Sequence, residues 1–354
     1  MQITLNFKLE PDAEQEKLIE ATLREYIRAV NSAMHDYVKA GKSLGYTSKD
    51  IQANLPSAVK DQVRRDTLSM FKMWKKRKKK NQDAAVPTAK KPIAVWNNQN
   101  YRIKDGFLIF PVWLDKSRRL RVKALLSDYQ KKRLDGKKGT MRIVRKDGKL
   151  MAQVAVQMPE PPSGQDKPVI IGVDLGLKVP AVVAVSNHNV KFFGNGRENK
   201  FVRRRYKKLR QKLGKTKKQK QIKKISNKEQ RWMKDRDHKL SREIINFAKD
   251  NSVTIIRLES LKGIRNTTRT SRKNAKNLHN WSFYRLSMFI EYKAKLAGIK
   301  VEYVNPAYTS PCPMCGQKNK ARDRQYQCKC GYHTHRDLVG AINIQRSDTH
   351  GVAV

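Results

Sequence analysis

The sequence predicts a multidomain α+β chain, with a β-rich domain interrupted by helices first and an α/β domain interrupted by a cysteine cluster second. Three observations carry that expectation. Short β-like runs separated by Gly, Asp, Asn and Lys turns fill residues 93–160. From residue 168, apolar strand-like runs alternate with helical stretches. All four cysteines fall between residues 312 and 330.

Taken in order, Ile3, Leu5 and Phe7 alternate and read as a strand over 2–8. From about 12 to 39, apolar residues such as Ile19, Leu23, Tyr26, Val30, Met34 and Tyr37 recur at three and four, the mark of an amphipathic helix. Helical pattern continues through 48–80 and ends in the basic tail Lys72–Lys80. The runs 93–96, 101–103, 107–113, 120–122, 140–144 and 150–156 suit a small antiparallel barrel, which the first strand would join. Residues 11–90 then form a helical insertion between 1–10 and 91–162. The stretch Pro159–Lys167 reads as a linker. Beyond it, strands at 168–174 and 180–186 form a hairpin, 200–250 is helical, and a strand at 253–259 follows. A helix over 281–297 stops at Gly298, a strand covers 299–304, and Asp337–Ile344 forms a last short helix.

Composition limits the classes of partner. The chain has 354 residues, with 78 Lys+Arg against 31 Asp+Glu and a formal charge of +47. Self-repulsion of that size disfavours compaction, so a polyanion is implied, nucleic acid before an anionic membrane. No apolar run approaches the roughly 18 residues of a membrane span. The N-terminal alternation lacks a signal peptide's apolar core, so an intracellular location is expected. Four clustered cysteines in such a chain point to a metal site rather than a disulfide scaffold.

Against this cationic background three acids stand at the ends of structured segments. Asp174 ends the run Val169–Asp174, Glu259 ends Val253–Glu259, and Asp337 opens the last helix. Singly, each has a plain reading: a turn residue before Gly176, an exposed strand-end charge, a helix cap. Jointly, strand–Asp–turn–strand, strand–Glu and Asp–helix follow the order of RNase H-like nucleases. Phosphodiester hydrolysis needs an activated water and charge compensation at the leaving oxygen, which two Mg²⁺ ions supply. Such hard ions take carboxylate oxygens, and substrate phosphate and water complete their shells.

Cys312, Cys315, Cys328 and Cys330 give C-x₂-C-x₁₂-C-x-C, with Gly316 and Gly331 following each pair. Thiolates in this pattern suit tetrahedral Zn²⁺ in a ribbon of two knuckles. His333 and His335 read as surface or nucleic-acid residues. Residues 200–224 hold 14 Lys/Arg and no acid. Within them Arg203, Arg204, Arg205, Lys207 and Lys208 are candidates for following a phosphate backbone. Arg336 is a candidate for steadying a phosphate. Trp74, Trp96 and Tyr101 could stack on bases, although lone aromatics more often sit in a core.

Several motifs coincide with a known family. They are Gly172-Val-Asp174-Leu-Gly176, Asp237-His-Lys239, Leu258-Glu259-Ser-Leu261, Trp281-Ser-Phe283, Tyr303-Val-Asn-Pro306, Thr309-Ser310 and Cys312-x-x-Cys315-Gly316, followed by Cys330-Gly331, His335-Arg-Asp337 and Gly340-Ala-Ile-Asn-Ile344. The chain resembles the TnpB (OrfB) family, transposon-encoded RNA-guided nucleases related to type V CRISPR effectors. The resemblance is specific over about 168–345. It implies a RuvC-like nuclease domain (168–308 and 333–354) with Asp174, Glu259 and Asp337 as Mg²⁺ ligands. It also implies a zinc ribbon (309–332), a β-barrel wedge domain (1–10 and 91–162) and a helical recognition domain (11–90). The implied partners are a guide RNA from the transposon end and a target double-stranded DNA read beside a short flanking motif. The implied setting is a monomer in the prokaryotic cytoplasm, at the nucleoid. Cys328-Lys-Cys330 departs from the C-x-x-C of many relatives, and Asp337-Leu-Val-Gly lacks the Asn often found two residues after the Asp. Two rival readings are a guided DNA-binding regulator that never cuts and a transposase using Tyr332 beside His333-Thr-His335.

Overall fold

The computed structural model describes residues 1–159, 168–261, 282–305, 310–319, 321 and 323–347. Trp281, Pro306, Thr309 and most of the expected linker lie outside them. The chain divides into two compact units, Met1–Pro159 and Glu160–Val354.

The first unit runs β1 (Gln2–Glu10), α1 (Ala13–Ala40), α2 (Ser57–Lys78), β2 (Ile93–Trp96), β3 (Arg102–Lys104), β4 (Phe107–Leu114), β5 (Lys116–Leu125), α3 (Asp128–Leu134), β6 (Lys137–Lys146) and β7 (Lys149–Gln157). Its strands form one seven-stranded sheet in the order β2-β6-β7-β1-β5-β4-β3. The chain's first strand therefore lies at the centre, antiparallel to both β7 and β5. Period-2 alternation turns Leu5, Phe7 and Leu9 inward with Val154, Val156, Met141 and Ile143. A capping box opens α1, in which Asp12 accepts from the Gln15 N–H at 2.8 Å. Gly41, at φ 65°, closes the helix in the left-handed region.

No hydrogen-bond ladder joins the two edge strands, β2 and β3, among the described residues. Side chains join the edges instead. Trp96 of β2 donates from Nε1 to the Pro111 carbonyl of β4 at 2.9 Å, and its ring meets Phe110 edge-on at 5.1 Å. The expected barrel is thus a rolled sheet whose seam is aromatic, because Pro111 and the short β3 cannot continue a ladder. Trp96 and Tyr101 are core residues, and Trp74 is buried with Met34, Tyr37 and Phe71 between α1 and α2. None of the three offers a free ring for a base. Trp96→Ala should cost about 3–5 kcal/mol in denaturant unfolding. Trp96→Phe should cost about 1–3 kcal/mol, from the orphaned Pro111 carbonyl.

The second unit runs β8 (Ile170–Asp174), β9 (Ala181–Val185), β10 (Val190–Phe193), α4 (Gly196–Lys215), α5 (Gln219–Ile225), α6 (Lys228–Asp250), β11 (Ile255–Glu259), α7 (Phe283–Leu296), β12 (Lys300–Val304), β13 (Gln325–Gln327), β14 (His333–His335) and α8 (Arg336–Arg346). Five strands form a sheet in the order β10-β9-β8-β11-β12. β8, β11 and β12 are parallel, β9 pairs antiparallel with β8, and β10 pairs antiparallel with β9. One face buries Ile171, Val173, Val183, Val185, Ile256 and Leu258 beneath α6 and α7. The other packs Val182 and Ala184 against Ala341 of α8. All five β9 residues are consequently buried. No described helix is long and apolar enough to cross a membrane.

Candidate metal centre

Strand alternation assigns the acids to one face. Ile171 and Val173 point toward α6 and α7, so Gly172 and Asp174 face α8. Ile256 and Leu258 do the same on β11, so Arg257 and Glu259 face α8, and Arg257 Nη1 donates to the Gln345 carbonyl of that helix at 2.8 Å. The parallel register pairs Val173 with Leu258, which puts Asp174 and Glu259 side by side at the carboxyl ends of adjacent strands. In open α/β sheets that end is where ligands bind. Asp337 lies in the first turn of α8 and is buried.

Two glycines permit the approach. A Cβ on Gly172 would stand 2.1 Å from the Ala341 carbonyl oxygen, so α8 backbone rests directly on β8. A Cβ on Gly340 would stand 3.2 Å from Asp174 Cγ, so this position leaves room for the carboxylate. Burial, then the charges of Glu259 and Asp337, push the Asp174 carboxyl up to about 8, against the opposing pull of Arg336 and Arg324. The three acids therefore share one electrostatic field. They do not form a tight knot: among the described residues, only the cysteines place three or more ligand atoms all within 4.8 Å of one another. Two cations about 3.5–4 Å apart need the wider spread.

Arg324 escaped the sequence reading. Its Nη1 donates to both Asp337 oxygens at 2.6 Å, and its Nε is buried with no partner among the described residues. The available signal was hairpin register: β13 and β14 pair Gln325 with His335, which sets position 324 opposite Arg336 and beside Asp337. Arg336 itself is exposed and close enough to act on the Asp174 charge.

The four cysteines converge although their second pair has the shorter spacing. Cys312 and Cys330 Sγ lie 3.8 Å apart, and Cys315 and Cys328 Sγ 3.4 Å. A tetrahedron with metal–sulfur distances near 2.3 Å has edges of about 3.8 Å, so this donor set fits Zn²⁺. Gly316 and Gly331 adopt φ of 74° and 91°, turning their N–H groups back to the Cys312 and Cys328 carbonyls. Burial opposes ionisation of Cys312, but the backbone N–H groups of Cys315 and Met314 and the neighbouring thiols bring it down to about 7.

The expected basic helix is α4, and its residues divide by face. Arg204, Arg205, Lys207 and Lys208 are exposed. Arg203 is half-buried, where burial and nearby Arg285 lower its pKa while Glu229 and Asp237 oppose. It belongs to the packing of α4 on α6 and α7 rather than to the outer stripe. Asp237 is buried there too, 2.6 Å from Arg285. His335 caps α8, its Nδ1 accepting from the Asp337 N–H at 3.2 Å, and Tyr332 packs against the cysteine cluster. Tyr332 and His335 are thus engaged in packing and capping, while His333 is exposed.

Two segments of the chain match known protein families. Residues 153–265 match the OrfB_IS605 family, described as "Probable transposase", and 283–344 match the Cas12f1-like TNB domain. A TnpB-like protein of Methanocaldococcus jannaschii is 39% identical over 127 residues, which is 35% of this chain and 45% of that protein. The CRISPR-associated endodeoxyribonuclease Cas12f1 of Sulfoacidibacillus thermotolerans is 29% identical over 194 residues, 49% of this chain and 44% of that protein. The chain thus spans less than half the length of these curated relatives. A solved Cas12f1–sgRNA–target DNA complex contains a chain of the same fold, with TM-score 0.70 at 16% identity, covering 98% of this chain and 99% of that one. The resemblance read from the motifs therefore holds: this chain carries OrfB and Cas12f1-like domains and is a relative of the TnpB-like and Cas12f1 proteins.

Proposed function

We propose that the chain is an RNA-guided DNA endonuclease whose chemistry resides at Asp174, Glu259 and Asp337. The observation that carries this reading is the gathering of two strand-end acids and one acid from the first turn of α8 on one side of the sheet, in a chain of charge +47. Relatives named as endodeoxyribonucleases and a shared fold with a guide- and DNA-bound protein support it. In this reading residues 168–308 and 333–354 form a RuvC-like domain around a zinc ribbon at 309–332. Residues 1–10 and 91–162 form the wedge, and 11–90 the recognition domain.

Asp174, Glu259 and Asp337 would hold divalent cations, and bound Mg²⁺ supplies an acidified water and charge compensation at the leaving oxygen. The chain's own residues do the rest. Partial burial of the Asp174 carboxylate lowers the dielectric around it and strengthens each charge interaction there. Arg324 holds the Asp337 carboxylate in place, and exposed Arg336 offers donors to a phosphate. Guide pairing supplies sequence recognition, while the protein grips backbone and duplex shape.

On the outer stripe of α4, Arg204→Ala and Arg205→Ala should each weaken nucleic-acid binding and reduce the salt slope by about one, as loss of a single phosphate contact does. Arg203→Ala should instead lower stability and leave the slope unchanged.

The test is plasmid cleavage by protein copurified with its RNA, in Mg²⁺, beside Asp174→Ala. Cuts confined to guide-matched plasmid and absent in the variant support the reading. Specific binding with equal inertness of both proteins would replace it with a non-cutting regulator.

A further inference from the structure

The cysteine cluster and the acids are mechanically continuous. Cys328 and Cys330 form the turn of the β13–β14 hairpin, closed by Cys328 N–H to the Tyr332 carbonyl at 2.9 Å. The other end of this hairpin delivers Arg324 to Asp337 and, through Arg336 N–H to the Arg324 carbonyl at 2.8 Å, starts α8. The first knuckle holds the far end of that helix: Asn343 donates to the Pro311 carbonyl and Arg346 to the Pro313 carbonyl, each at 2.6 Å. Between these points Val339 of α8 is buried with Cys312, Tyr326 and Cys328. A further tie reaches the Asp174 loop, where Lys178 Nζ lies 2.8 Å from Asp323.

Two three-residue strands cannot hold a hairpin unaided. Its order depends on what binds its turn. We propose that the two centres are thermodynamically linked: zinc at the cysteines orders α8, holds its Asp337 beside Asp174, and so raises the affinity of the acids for their own divalent cations. The linkage rests on the acidic centre proposed above. It is reciprocal, so cations at the acids must tighten zinc by the same factor.

Reciprocity gives a test on the folded, zinc-loaded, full-length protein. Zinc affinity is measured by chelator competition with and without saturating Mg²⁺, in wild type and Asp174→Asn. Mg²⁺ is expected to tighten zinc roughly five- to tenfold in wild type and to have no effect in the variant. Electron paramagnetic resonance of Mn²⁺ supplies the mirror measurement, with weaker Mn²⁺ binding in zinc-depleted protein. If zinc affinity ignores Mg²⁺ while Asp174→Asn still removes Mn²⁺ binding, the linkage is wrong and the acidic centre stands. If Asp174→Asn leaves Mn²⁺ binding intact, the acidic centre fails and the linkage with it.

Discussion

Asp174→Asn is expected to abolish the proposed DNA cleavage and, in Mg²⁺-free buffer at alkaline pH, to make the protein more stable than wild type. Loss of rate by about 10³-fold or more is expected, as when one member of a catalytic set is removed. The stability change follows from the same geometry. An unfolded Asp ionises near about 3.9, whereas burial beside Glu259 and Asp337 pushes Asp174 up to about 8. Its folded pKa is raised, so the unfolded chain binds fewer protons between these values. Wild-type stability therefore falls as pH rises from about 4 to 8. Asparagine removes that penalty, a gain of about 2–4 kcal/mol above pH 8 and none near pH 4. Thermal melts of both proteins across this range check it, and Mg²⁺ should restore wild type selectively. Equal melting curves at every pH would mean that Asp174 does not carry this burden.

Gly172→Ala is expected to be among the most disruptive single-methyl changes in the chain. The added Cβ would lie 2.1 Å from the Ala341 carbonyl oxygen, 2.4 Å from Gln345 N and 2.9 Å from Gln345 Cα. These are backbone atoms, so no rotamer relieves the clash and α8 must move off β8. Overpacking of this kind costs about 1–3 kcal/mol or more. Because Asp337 rides on the same helix, cleavage should fall further than stability explains. Gly214→Ala is the control: nothing lies within 4 Å of its added Cβ, and it sits inside α4. There alanine should stabilise by about 0.5–1 kcal/mol. Denaturant midpoints and cleavage rates of the two variants separate a packing requirement from a general intolerance of substitution.

Much of the centre was legible because its signals are local. An apolar run ending in one carboxylate marks a strand end, and Val169–Asp174 and Val253–Glu259 are both of that kind. The paired cysteines mark their own cluster whatever encloses them. What escaped depends on distant partners. Arg324 is one arginine among many until hairpin register sets it on Asp337. Arg203 reads as part of a basic run, yet it turns inward because α6 and α7 bring Glu229, Asp237 and Arg285 beneath it. The seven-residue α3 was hidden by its shortness, although Ser127 and Gln130 form a capping box that announces it. The aromatic seam of the rolled sheet could not be read either, since Trp96 of β2 and Pro111 of β4 meet only after the four strands between them are in place.

The most direct test of the account is the anomalous signal from crystals of the protein soaked in Mn²⁺. Manganese is expected bonded to a carboxylate oxygen of Asp174 together with Glu259, Asp337 or both. Manganese bound only elsewhere, with those carboxylates free of any ion, would contradict it.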